Sequence, residues 1–456
     1  MASRLADMSA LFISTYELGH QPQLAAELAA ELGDGSLQVL DMSKVPFSQA
    51  LDVLNHADQV ILTAPMLTGA LVARDLLASL EHDERERQLI VVGLYANVLK
   101  ESLRTPPPAV WLDRASATDI ATLLQPASAI GQPGTRSATS RRAYRVNRSA
   151  LMPLESYRSV KINAVDHVTG YLETSIGCRH RCLHCPVAAV WNGRIAINDA
   201  ESVIADGLAQ IEAGASHLSF GDPDFLNAPK HSLKIIKTLA EKARWVTFDI
   251  TTKISEILRH RDLIPELAAS HVNFIISAVE SLNDDVLSHL DKGHVAGDVT
   301  LARDLLYANG IGMHPTFVPF TPWSTLHDLV DIVEFIIDSD AIEVVEPIQY
   351  SIELLTPTNS LLSINDRDFG PYDAEVMGYT VSYRDDRLPV LRDRLYRIAS
   401  DAGDESFGTT FADIAAAVYE ANGLPVPDSR YPSVVAPSPV VMSEPWFCCA
   451  APAKSH

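Results

Sequence analysis

Two series of apolar strand-like segments, each alternating with helical segments, constrain the fold of this chain more than any other feature. The strand-like segments of the first series are 9–15, 37–43, 58–65 and 88–96, and the helical segments between them are 23–32, 48–57 and 70–80. Such alternation is typical of a parallel sheet with crossover helices. We therefore predict an α/β fold that begins with a doubly wound, Rossmann-like domain over residues 1–126.

Three loops of this domain would follow the carboxyl ends of its strands, where open parallel sheets bind ligands. They are 15–22, 64–69 and 93–98. Ordinary turn chemistry explains any one of them. Three such loops at one edge of the sheet favour a ligand pocket, or a surface on which another domain docks, as strongly as they favour ordinary turns.

The second series begins near residue 165, after a linker predicted over 127–164. Its strand-like segments are 171–177, 216–222, 245–250, 272–278, 311–318 and 342–350, and helical segments such as 200–214 and 326–339 lie between them. Six β/α units are two fewer than a complete eight-unit barrel contains. The sequence therefore predicts a partial (β/α)6 barrel over residues 165–358.

Residues 359–456 form the predicted C-terminal segment. Two amphipathic stretches, 388–402 and 410–422, predict helices. Six prolines between 425 and 445 predict an extended, stiff path that ends in an adjacent cysteine pair, Cys448 and Cys449.

Composition narrows the possible partners and the compartment. The 456 residues carry a formal charge of −22, from 36 Lys and Arg against 58 Asp and Glu, so the surface repels nucleic acid and anionic lipid. No apolar run reaches the length of a membrane span, and the first residues lack a signal-peptide pattern. We expect a cytoplasmic protein with no nucleic-acid or membrane partner. Its five cysteines, an odd and sparse set, then favour metal or redox chemistry over disulfides.

Three cysteines, Cys178, Cys182 and Cys185, form a C-x3-C-x2-C motif directly after the first predicted barrel strand. Barrel enzymes keep their catalytic groups at that end of the strands. A structural zinc site would need His180 or His184 as a fourth ligand, although structural zinc usually takes two separated ligand pairs. An iron–sulfur cluster with three thiolates would instead leave one iron open to another ligand.

The motif and its place in a six-unit barrel resemble the radical S-adenosylmethionine (SAM) enzymes. The resemblance implies a [4Fe-4S] cluster on the three cysteines, with the amino and carboxylate groups of SAM on the open iron. It also implies cosubstrate contacts at the ends of the second, third and fourth strands. The matching positions are Gly221, Asp222, Pro223, Asp249, Thr251, Lys253, Glu280 and Ser281.

The predicted N-terminal domain resembles that of the cobalamin-dependent branch of these enzymes. A D-x-H-x-x-G loop, which would hold cobalamin through a histidine, does not occur in the chain. We therefore expect a relic of the domain, or a different ligand, in preference to cobalamin bound without a protein ligand.

A longer set of strings resembles the CUAEP/CCAEP-tail radical SAM family over nearly the whole chain. The strings are YELGHQP (16–22), PMLTG (65–69), GLYA (93–96), GDPDFLN (221–227), KGH (292–294), P-x-x-T (322–325) and a terminal CCAAP (448–452). Ala451 stands where the family name has Glu, which puts any role of that glutamate in doubt.

The family resemblance implies arsinothricin-type biosynthesis, in which the 3-amino-3-carboxypropyl group of SAM moves to trivalent arsenic. Cys448 and Cys449 would hold the arsenite, and a flavodoxin or ferredoxin would supply electrons. One alternative is an enzyme that makes a 5′-deoxyadenosyl radical and abstracts hydrogen from an unknown small metabolite. Another is a non-enzymatic metal-binding scaffold.

Overall fold

The computed structural model describes residues 10–80, 86–125, 144–403, 406–426, 432–437, 440–442 and 450–451. Cys448 and Cys449 therefore lie outside the described residues. None of the described helices is both long and apolar enough to cross a membrane.

The N-terminal domain is a five-stranded parallel sheet in the order β2-β1-β3-β4-β5, with helices on both faces. Its elements are β1 (Ala10–Ser14), α1 (Gln23–Leu32), β2 (Leu37–Asp41), α2 (Phe47–Leu54), β3 (Gln59–Thr63), α3 (Leu67–Ala78), β4 (Gln88–Val92), α4 (Ala96–Ser102), β5 (Val110–Leu112) and α5 (Ala117–Leu123). The three central strands, β1, β3 and β4, are buried nearly throughout, as expected for a parallel sheet covered on both faces. The predicted doubly wound domain is confirmed.

The second sheet has seven strands in the order β13-β12-β11-β10-β7-β6-β17, and its parallel strands carry the helices of a partial barrel. Its elements up to residue 338 are β6 (Ser159–Ile162), β7 (Val165–Leu172), β8 (Ser175–Gly177), α6 (Pro186–Trp191), β9 (Ile195–Ile197), α7 (Ala200–Glu212), β10 (His217–Phe220), α8 (Pro229–Lys242), β11 (Thr247–Thr251), α9 (Ile254–Arg259), α10 (Ile264–Ala269), β12 (Val272–Glu280), α11 (Asp284–His289), α12 (Ala296–Ala308), β13 (Gly312–Phe317) and α13 (Leu326–Asp338). Five strands of the barrel are parallel neighbours: β7, β10, β11, β12 and β13.

The sixth barrel strand differs from its prediction over 342–350. That stretch forms two 3₁₀ helices, Ile342–Val344 and Pro347–Ser351. Pro347 has no N–H to donate to a strand ladder, and the N–H of Phe317 donates to the side-chain Oε1 of Gln349, 3.2 Å away. Only the next residues pair in parallel, through a bridge between Phe320 and Glu353. The apolar, β-branched composition of 342–350 was therefore misleading.

The C-terminal segment returns to both domains. Its elements are β14 (Glu353–Leu354), β15 (Phe369–Asp373), β16 (Gly378–Val381), α14 (Arg387–Asp401), α15 (Phe407–Ala421), β17 (Val440–Met442) and β18 (Ala450–Ala451). β17 pairs antiparallel with β6 and so completes the barrel sheet, while β18 pairs antiparallel with β14. The fold class predicted from the sequence is confirmed in its main features, and the predicted domain boundaries stay predictions.

A buried ion pair joins the segment after 143 to the barrel. The Arg148 guanidinium donates to both carboxylate oxygens of Asp206 on α7, at 2.9 and 2.8 Å. Tyr144 donates to the same carboxylate at 2.8 Å, and the Gln23 amide of α1 donates to the Tyr144 hydroxyl at 2.9 Å. Helix α1 of the N-terminal domain is thereby connected to helix α7 of the barrel.

Asp206→Ala should lower the free energy of unfolding by about 3–5 kcal/mol, because it leaves the Arg148 charge buried without its partner. Glu201→Ala on the same helix is the matched control, since its ion pair with Lys234 is exposed and is worth at most about 1 kcal/mol. Urea denaturation monitored by circular dichroism measures both. Equal, small losses in the two variants would contradict the assignment.

Candidate active site

The cysteine loop, residues 178–185, connects β8 to α6. Gly177 ends β8 with a φ of 79°, and a Cβ there would lie 2.5 Å from the Arg194 carbonyl oxygen, so the turn into the loop requires glycine. Pro186 begins α6 immediately after Cys185. Cys178 and Cys182 are buried and Cys185 is half-buried.

The stretch 221–227 fixes the start of this loop. The Asp222 carboxylate accepts hydrogen bonds from the N–H groups of Thr174 and Ser175, at 2.8 and 2.7 Å, and from their hydroxyls, at 2.6 and 2.7 Å. Asn227 accepts from the Arg179 N–H at 3.0 Å. Asp222, which the sequence assigned to the cosubstrate, and Asn227, which it did not, thus hold the chain on both sides of Cys178.

The same stretch contacts the middle of the loop through Asp224. Its carboxylate lies 3.2 Å from the Nε2 of His180 and accepts a hydrogen bond from Thr252 at 2.8 Å. His180 is therefore engaged by an acid that is itself fully buried. This contact competes with a role for His180 as a fourth metal ligand.

A cavity opens at the carboxyl ends of the barrel strands, and all three motif cysteines line it. Its other lining residues are His180, His184, Val187, Ala188, Pro223, Thr251, Lys253, Ile276, Ala278, Glu280, Lys292, Thr316, Phe317, Val318, Gln349 and Ile352. Ligands of β/α barrels bind at this end of the strands. The cavity therefore has the expected place for a catalytic site.

The three cysteines share one cavity. In a tetrahedral zinc site the ligand atoms lie about 2.0–2.3 Å from the metal, hence within about 4 Å of one another. Within the part of the chain that the structure describes, no group of three His, Cys, Asp or Glu side chains could hold a single metal ion. Three cysteines around one cavity supply the donor type that iron–sulfur clusters use.

Glu280 is the centre of a buried polar group in this cavity. Its Oε1 lies 3.0 Å from the Nζ of Lys292 and 3.1 Å from the Nε2 of His184. Burial alone would raise the pKa of Glu280, but Lys292 and His184 outweigh it and hold that pKa well below its usual range. Burial would likewise lower the pKa of Lys292, but Glu280 and the Cys182 thiol raise it. Both groups are charged at neutral pH.

Two lysines flank the cysteine loop. The Nζ of Lys253 lies 3.2 Å from the Sγ of Cys182. Lys292 is also close to this thiol, which raises the pKa of Lys292. Burial, followed by these two lysines, lowers the pKa of nearby His294 to about 4. His294 is therefore neutral at pH 7, and the two ammonium groups supply the positive charge beside the thiols.

The predicted cosubstrate residues separate into two groups. Pro223, Thr251, Lys253 and Glu280 line the cavity, and their predicted role stays a prediction. Gly221, Asp222, Asp249 and Ser281 do not line it. Asp222 holds the cysteine loop, and the hydroxyl of Ser281 accepts from the N–H of Asn283 at 3.1 Å.

Asp249 lies deeper in the barrel than the cavity. Its carboxylate accepts from Ser219, lies 2.8 Å from the Nε2 of His217 and is 3.7 Å from Arg158. Burial would raise the pKa of Asp249, but His217 and Arg158 outweigh it and lower that pKa. Asp249 thus neutralises a buried arginine inside the barrel.

Gly221 is required by its neighbour Tyr171. A Cβ at Gly221 would lie 1.8 Å from the Tyr171 hydroxyl oxygen. The Tyr171 hydroxyl itself donates to Glu173 at 3.0 Å. Gly221 therefore packs closely against this ring, and its N–H donates to the Leu172 carbonyl at 2.8 Å.

Sequence reasoning did not assign roles to Lys292 or Gln349, and it weighed His184 only as a possible zinc ligand, yet all three line the cavity. The string KGH (292–294) contained the signal for Lys292, because it follows α11 at the strand ends where the cavity lies. Gln349 carried no signal, since its segment looked like a strand.

The cysteine pair of the tail lies outside the described residues, but the chain resumes directly after it. Ala450 pairs with Leu354 and Ala451 with Glu353. Leu354 is two residues beyond Ile352, which lines the cavity. The tail therefore returns to the mouth of the barrel.

Comparisons with known proteins agree with this architecture. No protein-family model and no curated relative matches the chain. The structure is similar to that of OxsB, a cobalamin-dependent SAM radical enzyme solved with aqua-cobalamin bound, with a TM-score of 0.61, 14% identity, and coverage of 88% of this chain and 68% of that chain. It is also similar to TsrM from Kitasatospora setae, a radical SAM methyltransferase solved with cobalamin and a [4Fe-4S] cluster, with a TM-score of 0.56, 13% identity, and coverage of 93% and 92%.

The chain has the fold of the cobalamin-dependent radical SAM enzymes. At 13–14% identity the likeness extends to the fold alone. It confirms the predicted combination of an N-terminal doubly wound sheet with a partial barrel. Whatever cluster, cosubstrate or further cofactor this chain binds depends on its own residues.

Cys182→Ala should abolish the broad visible absorbance of an anaerobically reconstituted cluster, because the buried Cys182 thiolate would be one of only three protein ligands. Cys449→Ala is the matched control and should keep the absorbance, since Cys449 lies outside the motif. Ultraviolet–visible spectra and iron content per chain measure both. Full iron content in Cys182→Ala would exclude the assignment.

Gly221→Ala should cost about 1–3 kcal/mol of stability by overpacking against the Tyr171 ring. In a Tyr171→Ala background, Gly221→Ala should cost much less stability, because the ring that it would overpack is gone. The losses of stability from the two changes should therefore be strongly non-additive. Denaturation of the single and double variants measures the coupling. Additive losses would show that Gly221 is needed for another reason.

Proposed function

We propose that this protein is a radical SAM enzyme whose cluster binds Cys178, Cys182 and Cys185. The supporting observation is that these three thiols share one cavity with the ends of the barrel strands. When bound, a [4Fe-4S] cluster with one open iron supplies an electron to coordinated SAM. The chain's own residues must then hold and orient the cosubstrate.

The cavity offers complementary groups for SAM. Lys253 stands beside the cysteines, where its ammonium group can bind the methionine carboxylate. Thr251 and Glu280 supply hydroxyl and carboxylate oxygens for the amino group and the ribose. Ile276 and Ala278 provide an apolar wall. The ion pair of Glu280 with Lys292 keeps the carboxylate in one position, which favours a reproducible alignment of the sulfonium.

The tail supports a proposal for the substrate. Cys449 is bonded to Ala450, whose backbone pairs with β14 at the cavity mouth, and consecutive Cα atoms are about 3.8 Å apart. Two adjacent thiolates select soft, thiophilic species. We infer that Cys448 and Cys449 hold trivalent arsenic, with hydroxide as a third ligand.

The proposed transfer uses two electrons from a flavodoxin or ferredoxin. The first electron breaks the Cγ–S bond of SAM and leaves methylthioadenosine and a 3-amino-3-carboxypropyl radical. The radical adds to arsenic. The second electron reduces the resulting arsenic-centred radical while hydroxide leaves as the anion. A carbon–arsenic bond has then formed, and arsenic stays trivalent.

The decisive experiment identifies the nucleoside product. The reconstituted protein is incubated anaerobically with SAM and a reductant, with and without arsenite, and the products are analysed by mass spectrometry. Arsenite-dependent methylthioadenosine and a carbon–arsenic product are expected. 5′-Deoxyadenosine that forms regardless of arsenite would contradict the transfer and favour hydrogen abstraction from another substrate.

Cys448→Ser with Cys449→Ser should remove at least about 99% of product formation, because hydroxyls are poor ligands for a soft element. Cluster absorbance and SAM binding should be unchanged. Ala453→Ser is the matched control for a polar change in the same tail and should retain full activity. Wild-type turnover by the double variant would eliminate the proposed arsenic site.

A further inference from the structure

The ligand crevice of the N-terminal sheet is filled by the chain's own residues. In a sheet of order 2-1-3-4-5, ligands bind beyond the strand ends between β1 and β3. Here the Thr15 N–H donates to the Thr63 hydroxyl at 3.0 Å, and the Thr15 hydroxyl donates to the Thr63 carbonyl at 3.0 Å. Gly69 of α3 packs on this pair, since a Cβ there would lie 2.6 Å from the Thr15 hydroxyl oxygen. Both threonines are buried.

The loop after β1 is also occupied, because it contacts the barrel directly. The Gly19 carbonyl accepts from the Arg158 N–H at 2.9 Å. The ring centroid of His20 lies 4.4 Å from that of Tyr171, and only 5% of His20 is exposed. Burial, with Arg158 second, lowers the pKa of His20 well below its usual range. The histidine of this loop is therefore a neutral packing residue between the domains.

These residues do not fit a corrinoid bound at the switch point of the sheet. The switch-point crevice is closed by Thr15 and Thr63, and the loop that follows β1 is fixed against the barrel. A corrinoid would have to displace both sets of contacts.

A second face of the same domain receives the β15–β16 hairpin. Met377, at the end of the hairpin turn, is fully buried in the apolar cluster formed by α2, α3, α4 and the sheet, and Leu355 joins the same cluster. Arg74 of α3 donates to the Glu375 carbonyl at 3.1 Å and lies 3.2 Å from its carboxylate. Thr358 donates to Glu101 of α4 at 2.5 Å. The C-terminal segment is thus anchored on helices α3 and α4.

The other face of the hairpin packs below the cysteine loop. Phe369 of β15 belongs to an apolar cluster with Trp323, Leu354 and Leu183. Leu183 lies between Cys182 and His184, and its carbonyl accepts from the Leu361 N–H at 3.2 Å. One hairpin therefore contacts the N-terminal domain, the loop that carries the cysteines, and the strand that pairs with the tail.

We propose that the N-terminal domain is a docking platform for the β15–β16 hairpin instead of a cobalamin carrier. Met377 is the anchor of this intrachain interface. By fixing the hairpin, the platform holds the cysteine loop through Leu183 and the tail through β14. The proposal applies whatever substrate the enzyme uses, because it concerns how the site is assembled.

Met377→Lys tests the anchor in the full-length, cluster-loaded protein, because it buries an unpaired charge among α3 and α4. Amide hydrogen exchange should accelerate at least about tenfold in peptides that cover 178–186, 352–362 and 440–452, while peptides of β3 and β4 stay protected. Met152→Lys is the matched control, since Met152 is 41% exposed, and should leave exchange unchanged. Met377→Ala gives a milder second variant, with the same peptides accelerated to a smaller extent.

Unchanged exchange in peptides 178–186 and 352–362 of either folded Met377 variant would overturn the proposal that the N-terminal domain is a docking platform.

The cobalamin part of the proposal has its own test, in which wild-type protein is incubated with hydroxocobalamin under anaerobic conditions, desalted and assayed by corrinoid absorbance. Less than about 0.1 corrinoid per chain is expected at protein concentrations where a micromolar site would fill. Retention of one corrinoid per chain would overturn this part, and neither test depends on turnover.

Discussion

The position of the cysteine loop depends on one buried carboxylate. Asp222 accepts four hydrogen bonds from Thr174 and Ser175, at the turn between β7 and β8. Burying a carboxylate costs several kcal/mol, and burial raises the pKa of Asp222 to about 6 although these hydrogen bonds lower it. Each hydrogen bond to a charged group contributes about 1.5–3 kcal/mol in return. The first barrel strand is thereby bent into β8, and Cys178 begins from a fixed point.

The sequence predicted the elements whose local pattern agrees with their tertiary setting. Helix α1 was predicted over the residues that it occupies, 23–32, and the four barrel strands β10 to β13 overlap their predicted segments. The first barrel strand was predicted too late, over 171–177, because β7 already ends at Leu172. The sixth strand was wrong because a side chain, Gln349, takes the hydrogen bond that a strand backbone would make. The β15–β16 hairpin was not predicted, since its stability comes from Met377 and Phe369 packing on two distant parts of the chain. Such non-local contacts leave no period in the sequence.

The candidate site illustrates a related limit. The sequence indicated which residues lie at strand ends, but it did not resolve how deep each one lies. Asp249 and Thr251 are two apart on β11 and so point to the same face, yet about 7 Å separates them along the strand. Thr251 lines the cavity while Asp249 neutralises Arg158 below it. Similarly, Asp222 and Pro223 are neighbours, but one holds the loop and the other lines the cavity.

Charge in the cavity runs against the charge of the whole chain. The protein carries −22, yet Lys253 and Lys292 stand beside the cysteines, and Glu280 is the one acid among the described residues that line the cavity. Three thiolates and the carboxylate of SAM would add negative charge there, and reduction adds one more electron. A cation about 4 Å from an added charge contributes on the order of 1–4 kcal/mol, depending on the effective dielectric. The two lysines would therefore favour binding of the proposed cosubstrate and reduction of the proposed cluster together. Lys292 contacts Glu280, and Glu280 contacts His184. The position of the Lys292 charge therefore depends on the bulge at the end of β12, where Glu280 has a φ of 66°.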